Sequence, residues 1–237
     1  RDTCRSKHTQ AYTQQRATKA MAPLHFLALL FSLSGTVGAT VFTFQNNCRN
    51  TVWPAVQPNA GKPMIGDGGF ELHPNQSSTV VATPKWAGRF WARRGCRFDA
   101  DGRGSCTTGD CGGVMRCTGM GGQLPLSVAE FNLADPVDFY DVSHVDGYNV
   151  RVAVVPKGGS GVCQAVECAW DVNRRCPEAL RVVEGDRVVG CKSACQVFGN
   201  PEYCCTQEYS DPTLCKPSVY SRVFKAACPR AYSYAYD

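Results

Sequence analysis

Short apolar runs broken by turn residues dominate the first two-thirds of the chain. Thr40-Val41-Phe42-Thr43-Phe44, Thr51-Val52-Trp53, Ser78-Thr79-Val80-Val81, Arg89-Phe90-Trp91-Ala92-Arg93, Val128-Ala129-Glu130-Phe131-Asn132-Leu133 and Tyr148-Asn149-Val150-Arg151-Val152-Ala153-Val154 are rich in β-branched and aromatic residues, with Gly, Pro and Asn between them. Such residues fit a pleated, half-buried surface, so each run predicts a strand. Short strands at this spacing predict a β-sandwich. From Cys163 onward the texture changes, because nine of the 15 cysteines lie between Cys163 and Cys228. Lys192–Phe198 and Ser218–Ala227 predict short helices there, the second with Val219, Val223 and Phe224 on one face. Pro201, Pro212 and Pro217 interrupt the rest.

The stretch beginning at Met21, Pro23-Leu24-His25-Phe26-Leu27-Ala28-Leu29-Leu30-Phe31, passes into small residues ending at Gly38-Ala39. That is the plan of a secretory signal peptide, and it is too short for a membrane span. Residues 1–38 are therefore expected to be a leader, with 1–20 upstream sequence and 21–38 the signal itself, and residues 39–237 the working domain. No other stretch is apolar enough to cross a bilayer, so the product is expected to be secreted to the apoplast. Removing the leader lowers the net charge from +5 to a balance of 20 basic against 19 acidic residues. A general nucleic-acid or anionic-membrane role then loses its electrostatic basis. The charges are segregated: six basic residues lie between Lys85 and Arg103, whereas Ser127–Tyr148 contains only acids, namely Glu130, Asp135, Asp138, Asp141 and Asp146.

Fourteen of the 15 cysteines fall in residues 39–237, a density that in a secreted protein means disulfides. Three of them sit in Gly102-Arg103-Gly104-Ser105-Cys106-Thr107-Thr108-Gly109-Asp110-Cys111-Gly112-Gly113-Val114-Met115-Arg116-Cys117, among five glycines. Glycine supplies backbone angles closed to other residues, so this run predicts tight loops rather than a helix or strand. The cysteine spacings are poor for structural zinc, which opens with C-x2-4-C knuckles in pairs. The run resembles the signature of the thaumatin family of plant defence proteins. The resemblance continues through Asn46-Asn47-Cys48, Leu126-Ser127-Val128-Ala129-Glu130-Phe131, Asp138-Phe139-Tyr140-Asp141-Val142-Ser143, Glu202-Tyr203-Cys204-Cys205, Tyr220-Ser221-Arg222-Val223-Phe224-Lys225 and Ala231-Tyr232-Ser233-Tyr234. It implies a mainly β fold, a flattened antiparallel sandwich (39–93 and 125–169) with a small disulfide-rich lobe (94–124) and a large cysteine-rich lobe (170–228). It implies the pairs Cys96–Cys106, Cys111–Cys117, Cys168–Cys228, Cys176–Cys191, Cys195–Cys204 and Cys205–Cys215. The family continues past Asp237 with further cysteines, so truncation is expected here, with Cys48 and Cys163 left unpartnered.

The acidic stretch is the leading site candidate. On adjacent antiparallel strands Glu130 and Asp141 share a face; clustered carboxylates repel, which raises at least one pKa as acid–base chemistry on a glycosidic bond requires. The plainer reading is acidic surface, with Asp146-Gly147 a hairpin turn and Asp135-Pro136 a turn opener. The resemblance implies an acidic cleft of Arg89, Glu130, Asp141, Asp146 and Asp237, with Arg89 orienting a carboxylate through its fork of donors. Phe131, Tyr140 and Tyr148 are the nearby aromatics available to stack on sugar rings, core packing being the competing role for Phe131. The implied function is antifungal defence by binding β-1,3-glucan of fungal walls, as a monomer without cofactor or metal. Two rivals stand beside it. One is a weak endo-β-1,3-glucanase using Glu130 as acid and Asp141 as nucleophile or base. The other is an inhibitor of a microbial xylanase or other hydrolase, with the basic Lys85–Arg103 region as contact surface. After residue 38 the only histidines are His73 and His144, and there is no G-x-S-x-G, which leaves a serine-hydrolase triad without support. The glycine-rich patches around Gly68 and Gly121 lack the strand-to-helix setting of a phosphate loop. Asn75-Gln76-Ser77 is an N-glycosylation sequon.

Overall fold

The computed structural model describes residues 39–237, and the expected leader lies outside them. Four strands come first: β1 (Thr40–Gln45), β2 (Trp53–Pro58), β3 (Ser77–Ala82) and β4 (Ala87–Arg93). Two-residue strands β5 (Arg97–Phe98) and β6 (Gly104–Ser105) follow, then β7 (Val128–Asn132) and β8 (Phe139–Ser143). β1 pairs with β3, and a second sheet has the order β2-β4-β7-β8, all antiparallel.

The two sheets pack through an aromatic core. Along β1 alternate residues turn inward, so Phe42 and Phe44 face the second sheet while Val41 points out. Phe90 is the hub: Phe42, Phe44 and Trp86 lie 4.9, 5.1 and 5.2 Å from its ring centre. Offset and edge-on pairs of this kind add to the burial of ring area. Val56, Val80, Ala82 and Leu133 fill the remaining space.

The other face of the four-stranded sheet carries Trp91 and Val128 against Cys111, Cys117 and Leu126 of the small lobe. Cys96–Cys106 and Cys111–Cys117 clamp that lobe. The cysteine-rich lobe holds a hairpin of β9 (Arg181–Glu184) and β10 (Arg187–Cys191) and three short helices, α1 (Ala194–Phe198), α2 (Pro201–Cys204) and α3 (Ser221–Ala227). Disulfides Cys168–Cys228, Cys176–Cys191, Cys195–Cys204 and Cys205–Cys215 staple it. α1 starts with a full capping box, Ser193 and Gln196 satisfying each other's backbone N–H.

Sandwich and lobes meet at Asn149, which is fully buried. Its Nδ2 donates to Ala92 O at 2.8 Å and Thr108 Oγ1 at 3.0 Å, its Oδ1 accepts from Ser127 N at 3.1 Å, and its carbonyl accepts from Asn173 Nδ2 at 3.1 Å. This junction explains why Tyr148–Val154, expected as a strand, is not one. It is pulled out of the sheet and makes only the isolated bridges Tyr148–Cys191 and Val154–Val166. Asp146-Gly147 is accordingly a turn but not a hairpin. At the second predicted helix the helical residues begin at Ser221, so Val219 lies before it, exposed, while Phe224 is buried. Cys163 is a free, exposed thiol, but Cys48 is disulfide-bonded, contrary to the expectation that both lack partners. No helix among the described residues is long and apolar enough to cross a membrane.

Candidate functional site

Antiparallel register places the charged residues. Arg89 on β4 lies opposite Glu130 on β7, and Glu130 lies opposite Asp141 on β8. Directly paired residues point to one face, so the three form a row across the strands. Arg89 Nη2 stands 3.2 Å from Glu130 Oε1, and Arg89 Nη1 stands 4.0 Å from Asp146 Oδ2. Asp146 reaches the row from the turn that follows β8. Gly147 N donates to His144 O at 2.9 Å, and Gln196 Nε2 donates to the Asp146 carbonyl at 2.9 Å, which ties the turn to α1. Gly147 has φ +84°, and a Cβ there would stand 2.5 Å from Pro125 Cβ and 2.7 Å from Cys191 O. Only glycine fits that turn.

Arg89, Glu130 and Asp146 are each more than a third exposed on their side chains, so their pairing orients groups more than it stabilises the fold. Asp141 differs. Its Oδ1 is buried with no hydrogen-bond partner among the described residues. Burial, and then the Glu130 charge, push its carboxyl up to about 6, with Arg89 opposing. The folded state thus holds a proton that the unfolded chain gives up near its ordinary value of 3.8. Stability from this group is present below that value and is lost as pH rises towards 6. Asp141→Asn, which cannot ionise, should therefore melt above the wild type at pH 7, by at most about 3 kcal/mol of stability, with the difference shrinking towards pH 4. Thermal melts of both proteins from pH 4 to 7 check this; a difference independent of pH contradicts it.

The sequence model of the thaumatin family matches residues 46–237. The chain belongs to the thaumatin family. A thaumatin-like protein of Arabidopsis thaliana is 50% identical over 216 residues, 90% of this chain and 88% of that one. The pathogenesis-related thaumatin-like protein 3.5 of Cryptomeria japonica is 50% identical over 221 residues, 93% of this chain and 91% of its own. Pathogenesis-related protein 5 of Arabidopsis thaliana is 52% identical over 220 residues, 92% and 91% of the two chains. The solved thaumatin-like xylanase inhibitor TLXI is 35% identical, covering 48% of this chain and 76% of that one, at a TM-score of 0.40, too low to carry a functional argument.

In this thaumatin-family chain four of the five expected cleft residues come together, and Asp237 is engaged by Lys225 and Ser233. Its Oδ1 is 2.9 Å from Lys225 Nζ, and its Oδ2 accepts from Ser233 N and Oγ, both at 2.8 Å. Burial raises its pKa, but hydrogen bonds from Lys225 and Ser233 outweigh that and leave it lowered. Phe131 and Tyr148 are no sugar platform, because they belong to the core: Phe131 packs edge-on 4.7 Å from Phe42, and Tyr148 is fully buried. Tyr140 packs against the cysteine-rich core and donates its hydroxyl to Gln164 O at 2.8 Å. The exposed aromatic on the cleft face is instead Phe139, two residues before Asp141 and paired with Asn132, with 62% of its surface exposed.

Two other features sit apart from the row. His144, Cys168 and Cys228 place their ligand atoms within 4.8 Å of one another, but the two sulfurs are bonded together and so do not offer thiolates to a metal. A cavity of about 850 Å³ opens beside Trp53, Thr107, Asn173 and Glu184 and does not include the acidic row.

Proposed function

We propose that this chain is a secreted plant defence protein that binds β-1,3-glucan of fungal walls through the row Arg89–Glu130–Asp141 and Asp146. A role in plant defence is supported by relatives at 50% and 52% identity that are named pathogenesis-related. Six disulfides among the described residues suit an oxidising, extracellular setting. The observation that carries the ligand assignment is the exposed Phe139 ring on the same face as a half-buried polar row. Sugars present apolar ring faces and outward hydroxyls; an aromatic platform beside carboxylates and a guanidinium matches both. Asp141, neutral below about pH 6, donates as well as accepts a hydrogen bond.

Phe139→Ala should weaken retention on insoluble β-1,3-glucan by about tenfold, taking the apolar face of a sugar ring to stack as a base does on an aromatic, for about 1–3 kcal/mol. Its melting temperature should be unchanged, because so little of the ring is buried. Glu130→Gln should weaken retention as well. Co-sedimentation with the insoluble glucan measures both, and wild-type retention by both variants would overturn the reading.

One observation keeps hydrolysis as a second reading. Glu130 and Asp141 are directly opposite on antiparallel strands; Cβ atoms of such residues lie about 4.5–5.5 Å apart, from which two side chains can reach the separation of about 5–5.5 Å that retaining glycosidases give their carboxyls. In that case Asp141, the protonated group, is the acid and Glu130, paired with Arg89, the nucleophile, which reverses the roles expected from sequence. Release of reducing sugar from soluble β-1,3-glucan, lost in Asp141→Asn, distinguishes an enzyme from a binder.

A further inference from the structure

The polar row does not end at Arg89. Gln57 on β2 lies opposite Arg89, so the row reads Gln57–Arg89–Glu130–Asp141 across all four strands. With strands about 4.7–4.9 Å apart, it runs ~14 Å from one edge of the sheet to the other. Gln57 is half-buried. Its Nε2 donates to Gly119 O at 3.1 Å, which fixes the amide, while Oε1 accepts no hydrogen bond among the described residues. A Cβ at Gly121 would stand 3.3 Å from that oxygen, so the absent side chain keeps the space before it open. The Arg89 fork is turned towards Glu130 and Asp146. Gln57 is therefore outside the ion-pair network: a neutral, pre-oriented acceptor at the end of a charged row.

The geometry points to Gln57 as a further ligand-binding residue, whose Oε1 accepts a hydrogen bond from a sugar hydroxyl and makes the site favour a β-glucan segment long enough to reach from β8 to β2. The inference rests on the carbohydrate-binding reading of the row. A ligand laid along it crosses the strands from Asp141 on β8 to Gln57 on β2, where the loop Gly119–Gly121 stands. A neutral amide suits the outermost position, where it recognises a hydroxyl without perturbing the carboxylates. A residue that only latched the loop would need its Nε2 alone, and a leucine-like wall would need neither atom.

Calorimetric titration with linear β-1,3-gluco-oligosaccharides of increasing length tests this on the full protein. Wild-type affinity should climb with length until the ligand spans the row. Gln57→Ala should weaken the longest ligands by about three- to tenfold, the size of one hydrogen bond, and leave the shortest unchanged. Gly121→Ala, whose methyl would crowd Oε1 while leaving the Gly119 bond in place, should do the same, and it decides the matter should Gln57→Ala loosen the loop. Equal affinity of both variants and wild type at every length overturns the Gln57 assignment. Glu130→Gln separates the two levels. If it too binds like wild type, the site itself is wrong; if it loses binding at all lengths while the Gln57 and Gly121 variants lose none, only the Gln57 position is wrong.

Discussion

Below pH 5 the His144→Leu variant should be markedly more stable than the wild type. His144 is fully buried, and neither ring nitrogen has a hydrogen-bond partner among the described residues. Its ring lies 5.4 Å from Tyr148 and 6.3 Å from Phe224, in the apolar core that also holds Val142, Cys168 and Cys228. Burial with nothing to receive a proton's charge lowers its pKa from 6.5 to about 3. The sign follows. Between those values the unfolded chain takes up a proton that the folded one refuses, so stability falls as pH drops from 6.5 towards 3. At pH 4.5 the cost is about 2–3 kcal/mol, from 1.36 kcal/mol per pH unit within that window. For a domain of this size that is about 5–10 °C in melting temperature. Leucine removes the titrating group and two orphaned polar atoms, so it should also be neutral or better at pH 7. Melting temperatures of the two proteins at pH 7, 6, 5 and 4 read the effect, which grows on acidification. Asp141 titrates in the opposite sense but is present in both, and cancels. A gap that stays constant from pH 7 to 4 would show that His144 is not held neutral by the core.

Much of this architecture is legible in the residues, and the failures have identifiable causes. β1, β3, β4 and β7 declare themselves by β-branched and aromatic runs; adjacent strands allow Glu130 and Asp141 one face, and the register that pairs them directly comes from the fold. The expected strand Thr51-Val52-Trp53 ends where β2 (Trp53–Pro58) begins: the apolar run is interrupted by Pro54 and Pro58, yet both are tolerated on the edge strand of a sheet. Tyr148–Val154 has the composition of a strand without the pairing; composition reports fitness for a pleated surface, and the Asn149 hydrogen bonds took the segment elsewhere. Arg181–Cys191 alternates about a Gly185-Asp186 turn, a hairpin signal hidden among cysteines. For the aromatics, the information was there to be used. Counting by twos from Asp141 reaches Phe139 and skips Tyr140, and counting by twos from Glu130 skips Phe131. What no counting reveals is which carboxylate is buried, because the cover over Asp141 comes from tertiary structure. The same holds for the basic stretch: it was the contact surface of the inhibitor alternative only, and Arg93 within it is fully buried.

Replacing Arg93 should therefore cost more than any surface charge in that stretch. Its Nε donates to Trp53 O at 3.1 Å, Nη1 to Val114 O at 2.8 Å and Nη2 to Met115 O at 2.6 Å, so one guanidinium binds β2 and the small lobe to β4. Its carbon lies 5.4 Å from the centre of the Phe98 ring, a cation–π contact. Burial lowers its pKa to about 10, with Asp110 opposing, so it stays charged at neutral pH. A buried charge whose three nitrogens all donate to carbonyls is expensive to remove: Arg93→Met leaves three part-buried carbonyls without that donor. We expect a loss of about 3–5 kcal/mol, or roughly 6–20 °C in melting temperature for a domain of this size. Arg93→Lys should fall between, because a single ammonium keeps the charge but cannot fork to three carbonyls on separate segments. Gly69→Ala attacks the same clamp from outside, since a Cβ there would come 2.7 Å from Arg93 Nη2 and 2.9 Å from Met115 O. Arg97→Ala, at an exposed position nearby, is the control and should change stability by less than about 0.5 kcal/mol. Limited proteolysis gives the local readout: in Arg93→Met, cleavage within residues 94–124 should appear at temperatures where the wild type resists, even with both small-lobe disulfides intact. Melting of Arg93→Met within 2 °C of the wild type (roughly the shift from 0.5–1 kcal/mol) would mean that the disulfides and the Trp91 core hold the lobe without it.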